Sequence, residues 1–193
     1  QGNLKRLINC TGVIVHTNLG RSILSDAIFN EIRNILTGYT NLEYDLANGT
    51  RGSRHSIVES LLCLLTGAQS AMVVNNNAAA VMLALNTFSS NKDTIVSRGE
   101  LVEIGGSFRI PEVMKMSGAK LIEVGTTNKT RISDYEKAIT DDTGAIMKVH
   151  TSNYAIVGFS ESVDIESLSE LAKTRDITLI EDLGSGTLVD FRP

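Results

Sequence analysis

An α/β fold, with a mostly parallel sheet and helices on both of its faces, follows from three features of this sequence. Short apolar runs of strand length recur from residue 71 onward, at residues 71–74, 94–97, 120–124, 145–149 and 178–181. Helical patterns separate them, and strands alternating with helices form βαβ units whose sheet is buried on both sides. The first and last runs open onto polar turns, Asn75, Asn76 and Asn77 in one case and Asp182 in the other. In an open parallel sheet that rim, beyond the carboxyl ends of the strands, is where ligands bind.

The first residues do not follow this alternation. Residues 4–44 hold a short apolar run, the polar turn His16, Thr17, Asn18, Leu19, Gly20, Arg21, and a helical stretch near residues 25–36. With residues 39–54 they read as an arm over the sheet rim, so two regions are expected: an arm with its helix over residues 1–54, and a large domain over residues 55–193. Ser56 and Glu59 make a capping-box pattern ahead of Ile57, Val58, Leu61, Leu62 and Leu65, and Gly67 supplies the stop. Residues 71–74 (AMVV) read as a buried strand and residues 78–85, rich in Ala and Leu, as a helix.

Between them the three asparagines form the turn. Asn tolerates tight-turn backbone angles, caps helices well, and sets its amide beside unpaired N–H groups at the positive end of the dipole. The turn is either a plain cap or a cradle for a phosphate. Ser133 with Glu136 repeats the capping-box pattern, and Asp164 caps a helix whose buried face carries Ile165, Leu168, Leu171 and Ala172. Residues 177–181 (ITLIE) then deliver Asp182 onto a loop of Leu183, Gly184, Ser185 and Gly186. Such an Asp is either a turn cap or a working carboxylate. On one rim with the Asn turn, it makes the pair that pyridoxal phosphate needs: an acid to keep the ring nitrogen protonated and an anion site for the phosphate.

The 193 residues are enough for one large domain with a core, and 42% hydrophobic content with 2 prolines suits a compact fold. The net charge of -4 offers no basic face for autonomous nucleic-acid binding. Cys10 and Cys63 have neither metal nor redox spacing, and no apolar stretch reads as a membrane span or signal peptide. A reducing, cytoplasmic setting is expected. Because the chain opens on Gln1 and Gly2 without methionine and stops at Pro193 just after a strand and loop, a piece of a longer polypeptide is expected.

These residues resemble pyridoxal-phosphate enzymes of the aspartate-aminotransferase fold, and most closely the bacterial selenocysteine synthase family, the L-seryl-tRNA(Sec) selenium transferases. The similar segments are INCTGVIVHTNLGR at residues 8–21, NLEYDL at 41–46, RGSR at 51–54, VVNNNAAAV at 73–81, VSRGELVEIGGSFRIPEVM at 96–114, EVGTTNKT at 123–130, KVHTSNY at 148–154 and DLGSG at 182–186. The resemblance implies that Asn76, Asn77 and Ala78 hold the cofactor phosphate, that Asp182 pairs with the pyridine nitrogen, that Asn153 sits near the ring hydroxyl, and that Ser185 joins the cofactor site. Many relatives stack an aromatic ring or His on the cofactor from the loop after the second strand. Here that loop reads Arg98, Gly99, Glu100, Leu101, and the neighbourhood of Glu100 to Glu103 is expected to cover the ring.

Arginine binds oxyanions bidentately. Arg21 is therefore the first candidate for the selenium donor or its phosphate, followed by Arg51 and Arg54, while Arg98 and Arg109 read as solvated charges. His150 either shuttles a proton or fills the strand end.

Family members bind the cofactor through a Schiff-base lysine following the Asp-bearing strand. No lysine follows Asp182 here; Lys148 lies inside the run at residues 145–149, ahead of Asp182, and is expected to be structural. The Schiff-base lysine is expected beyond Pro193, a tRNA-gripping domain before Gln1, and this chain alone is expected to be catalytically silent. The function implied is conversion of seryl-tRNA(Sec) to selenocysteinyl-tRNA(Sec) with selenophosphate, through a cofactor-bound aminoacrylyl intermediate, in a homo-oligomer built from dimers and decameric in the family, with no membrane. The rival readings are a related pyridoxal-phosphate lyase acting on a small amino acid or amino sugar, and a non-catalytic oligomerisation module. A nicotinamide-binding oxidoreductase is weaker, since Gly184, Ser185 and Gly186 follow a late strand and lack the third glycine and the opening helix.

Overall fold

A computed structural model of the chain describes residues 2–104, 108–184 and 186–188. Chain contacts gather into two compact units, residues 1–60 and 61–193. In the first, α1 (Asp26–Leu36) starts at Ser25, whose hydroxyl accepts from the Ile28 N–H at 3.2 Å. The antiparallel pair β1 (Tyr44–Asp45) and β2 (Thr50–Arg51) follows. Helix α2 (Ser56–Thr66) runs across the boundary between the units. None of the described residues 2–60 is buried, so this unit holds its shape by local hydrogen bonds.

The second unit carries α3 (Asn77–Ser89), β3 (Asp93–Ser97), the short pair β4 (Glu103–Ile104) and β5 (Phe108–Arg109), α4 (Ile110–Ser117), β6 (Lys120–Val124), α5 (Ile132–Ala138), β7 (Thr143–Val149), α6 (Ile165–Arg175) and β8 (Thr178–Asp182). The main sheet is parallel throughout, in the order β6-β3-β7-β8. Alternation along the strands divides the core in two. Val96, Met147 and Val149 point to one face and pack with Val81 and Leu85 of α3 and with Ile110, Val113 and Met114 of α4. Ile95, Ile146 and Val124 pack on the other face with Tyr135 of α5 and Leu168, Leu171 and Ala172 of α6. Helices on both faces of a mostly parallel sheet are the fold the sequence predicts.

The expected strand at residues 71–74 does not form. The segment is irregular, and Met72 and Val73 are more than half exposed. A strand exists only through ladder bonds to a neighbour, and among the described residues none lies beside this one. Two expected helix starts also move. Ser56 is the first residue of α2 rather than its cap, and its hydroxyl donates to the Ser53 carbonyl at 2.7 Å. At α5 it is Asp134, not Glu136, whose carboxylate reaches back, accepting from the Arg131 N–H at 2.9 Å. Asp164 caps α6 as expected, accepting from the Ser167 N–H at 2.7 Å.

Candidate functional site

Asn76 has the extended backbone of a cap, and its side-chain oxygen accepts from the Ala79 N–H at 2.9 Å. The N–H groups of Asn77 and Ala78 stand in the first turn of α3, where no helical carbonyl lies four residues back. Asn77 turns its amide to the sheet, donating from Nδ2 to Asp182 Oδ1 at 3.0 Å. One hydrogen bond thus joins the two halves of the site read from the sequence, 105 residues apart.

Asp182 ends β8 with 7% of its surface exposed. Its Oδ1 also accepts from the Gly184 N–H at 3.0 Å, closing a tight turn. Gly184 has φ of 58°, and a Cβ there would lie 2.5 Å from Ser152 Oγ, so the turn needs glycine. Both donors are neutral, and among the described residues no Lys, Arg or His pairs with this carboxylate. A buried carboxylate solvated by neutral dipoles alone suits a cationic ring N–H. Beside it, the start of α3 suits a dianionic phosphate. The residues present fit pyridoxal phosphate on both counts.

Register decides what else reaches this place. Val149 of β7 pairs with Asp182, and Lys148 pairs with Glu181. Paired residues share a face, so Val149 and Asp182 look toward α3 while Lys148 looks to the opposite face, with Ile146. There its Nζ meets Glu100 Oε1 at 2.8 Å. Glu100 itself is 6% exposed, and its Oε2 accepts from the Val149 N–H at 2.9 Å. Burial, with the Glu100 charge second, raises the phenol titrations of Tyr135 and Tyr154. The sequence shows Lys148 in an apolar strand, but no local signal points to its partner Glu100, 48 residues away.

The remaining candidates each have contacts of their own. His150 is exposed, with Nδ1 3.1 Å from Ser152 Oγ, while its backbone N–H donates to the Asp182 carbonyl at 2.9 Å. Asn153 donates from Nδ2 to the Glu103 carbonyl at 3.0 Å. Ser185 lies outside the described residues. In the first unit, Arg21 closes its turn by donating its N–H to the His16 carbonyl at 3.1 Å, with φ of 61°. Arg51 and Arg54 both pair with one carboxylate, Glu43. Arg98 and Arg109 are in exposed ion pairs with Glu123 and Glu103, at 2.9 and 2.7 Å, where solvent screens most of the attraction.

A polar cleft of about 310 Å³, lined by Ser97, Gly99, Thr127, Thr130, Thr151 and Ser160 among others, involves neither Asn77 nor Asp182. Among the described residues no group of His, Cys, Asp and Glu is placed to hold a metal ion, and no helix is long and apolar enough to cross a membrane.

Known proteins resemble the chain at both levels. D-glucosaminate-6-phosphate ammonia-lyase superposes with a TM-score of 0.69 at 16% identity, over 86% of this chain and 45% of that one. An aminotransferase from Psychrobacter cryohalolentis does so at 0.57 and 17%, over 86% and 38%. These likenesses show the fold. In sequence, the L-seryl-tRNA(Sec) selenium transferase of Clostridium perfringens is 60% identical over 189 residues, which is 98% of this chain and 41% of that protein's length. The family model for SelA, L-seryl-tRNA selenium transferase, matches residues 7–193. With the expected fold in place and nearly every residue matched, the chain belongs to the L-seryl-tRNA selenium transferase family.

Proposed function

We propose that the polypeptide carrying this chain is a pyridoxal-phosphate enzyme that converts seryl-tRNA(Sec) to selenocysteinyl-tRNA(Sec) with selenophosphate. The observation that carries this reading is Asp182: a buried carboxylate with neutral donors only, joined through Asn77 to the start of α3. When bound, the cofactor supplies an electron sink that eases loss of the α-proton and of the β-substituent of an amino acid.

The residues of this chain then have separable tasks. The N–H groups of Asn77 and Ala78, with the Asn76 cap, bind the phosphate and fix the depth of the ring. Asp182 holds a proton on the ring nitrogen, and the Asn77 amide and Gly184 N–H orient its carboxylate. Asn153 is the neighbour of the ring hydroxyl, using an amide that also ties Glu103. Ser185 joins the cofactor site, and His150, one residue past β7, moves a proton. Arg21, Arg51 and Arg54 bind the oxyanion of the selenium donor. The lysine that carries the cofactor, and most of the tRNA contacts, belong to parts of the polypeptide outside this chain, which spans about 41% of the relative's length. A cytoplasmic homo-oligomer built from dimers, decameric as in the family, completes the proposal. The family match favours it over a lyase or a non-catalytic module.

The test uses the full-length protein. Cofactor should bind with a visible absorption band, and selenium transfer from selenophosphate to seryl-tRNA(Sec) should require it. Transfer by cofactor-free protein, or binding in which the phosphate lies away from Asn76, Asn77 and Ala78, would overturn the reading.

A further inference from the structure

We infer that Glu100 is a positioning residue that latches the loop following β3 onto the rim of the cofactor site. This rests on the reading of Asn77 and Asp182 given above. The ladder between β3 and β7 ends at the pair Val96 and Met147. Beyond it the β7 backbone still presents N–H groups alternately to each side. The His150 N–H goes to β8, donating to Asp182, so the Val149 N–H faces the side from which β3 has departed. The Glu100 carboxylate takes it, at 2.9 Å, in place of a strand carbonyl. Its other oxygen holds Lys148 Nζ at 2.8 Å.

Two further bonds join the same two loops. The Tyr154 hydroxyl donates to the Gly99 carbonyl, and Asn153 Nδ2 donates to the Glu103 carbonyl at 3.0 Å. Residues 99–103 are thus tied at three points to residues 148–154, and Val149 is the register partner of Asp182. The loop after β3 thus has its place set, through one strand residue, relative to the Asp182 carboxylate that the proposed function assigns to the ring nitrogen.

Stability alone is a poor explanation for this pair. Desolvating two charges offsets most of their attraction, and an apolar pair of similar volume often serves as well. An apolar side chain at position 100, however, could not accept the Val149 N–H. Glu100 provides direction: two acceptor oxygens in fixed relation, which place the loop to within a hydrogen bond's tolerance.

The experiment is done on the full-length protein loaded with pyridoxal phosphate, comparing Glu100→Gln, Lys148→Met and Tyr154→Phe with wild type. Hydrogen exchange at residues 99–103 and the visible circular dichroism of the bound cofactor are read beside Tm and steady-state kinetics. With Glu100→Gln, exchange in the loop should rise about tenfold and the cofactor's dichroic band should weaken at unchanged cofactor content; kcat should fall about tenfold with little change in KM. Lys148→Met should act in the same direction, and Tyr154→Phe more weakly. A fall in Tm with loop exchange and dichroism unchanged would overturn the latch and leave the pair a stabiliser only. If Glu100→Gln does not fold, Tyr154→Phe decides: unchanged exchange at residues 99–103 counts against the proposal. If wild-type protein shows no cofactor band, the cofactor reading fails, while loop exchange still judges the latch.

Discussion

Asp182 and Asp164 show how differently two carboxylates at the edges of one sheet work. Asp182 is buried and, in the function proposed above, serves the cofactor ring; on that reading Asp182→Ala in the full-length protein should lower kcat/KM at least about 100-fold while the protein still folds, because the rim carboxylate would support a ring charge and not the core. Turnover at the wild-type rate would make it a turn cap only. Asp164 is fully exposed and caps α6; hydrogen bonds from Ser167 hold its titration below the ordinary carboxylate value. A lowered folded-state value means that the charged form adds stability above the unfolded value and loses it as pH falls through the folded one. Asp164→Asn keeps the cap and removes the charge. Denaturant midpoints should therefore differ modestly from wild type at about pH 7 and converge near pH 2. A difference independent of pH would assign the effect to the cap alone.

Among the elements, α3 has the largest part in the proposed site, because its first turn is capped by Asn76 and bonded through Asn77 to Asp182. Asn76→Ala should cost about 1 kcal/mol of stability through the lost cap. It should also weaken cofactor binding measured by fluorescence titration, since a frayed first turn no longer holds its N–H groups together. Loss of stability with unchanged cofactor affinity would separate the cap from the phosphate site. The segment at residues 71–74 makes a contrasting case. Its composition is that of a buried strand, yet strand formation depends on a neighbour's backbone, which no local pattern encodes. The two misplaced helix starts have another cause. A Ser followed by Glu three residues later is compatible with more than one start, and hydrogen-bonding at Ser53 and Asp134 selects among them.

Across the whole sheet, register sorts the lysine from the site. Lys148 lies one residue from the partner of Asp182, and a one-residue slip would bring it to the face that Asp182 occupies. In the observed register it is on the other face, engaged by Glu100. Treating the protein with pyridoxal phosphate, reducing with borohydride and mapping labelled peptides should therefore leave Lys148 unmodified. Stoichiometric labelling there would show that the register does not protect it.

The sequence by itself determined the fold class, the strands at residues 94–97, 120–124, 145–149 and 178–181, the capped helix after Asp164, and the rim that carries Asn76, Asn77 and Asp182. These follow from periodicity and turn chemistry, which act over a few residues. Only the tertiary structure decided that Asn77 bonds Asp182 directly, that Glu100 clasps Lys148 and the Val149 N–H, and that residues 71–74 stay irregular. Each of those depends on which strand lies beside which, and in what register. That choice is made by burying two apolar faces at once, over distances in sequence that no local pattern spans.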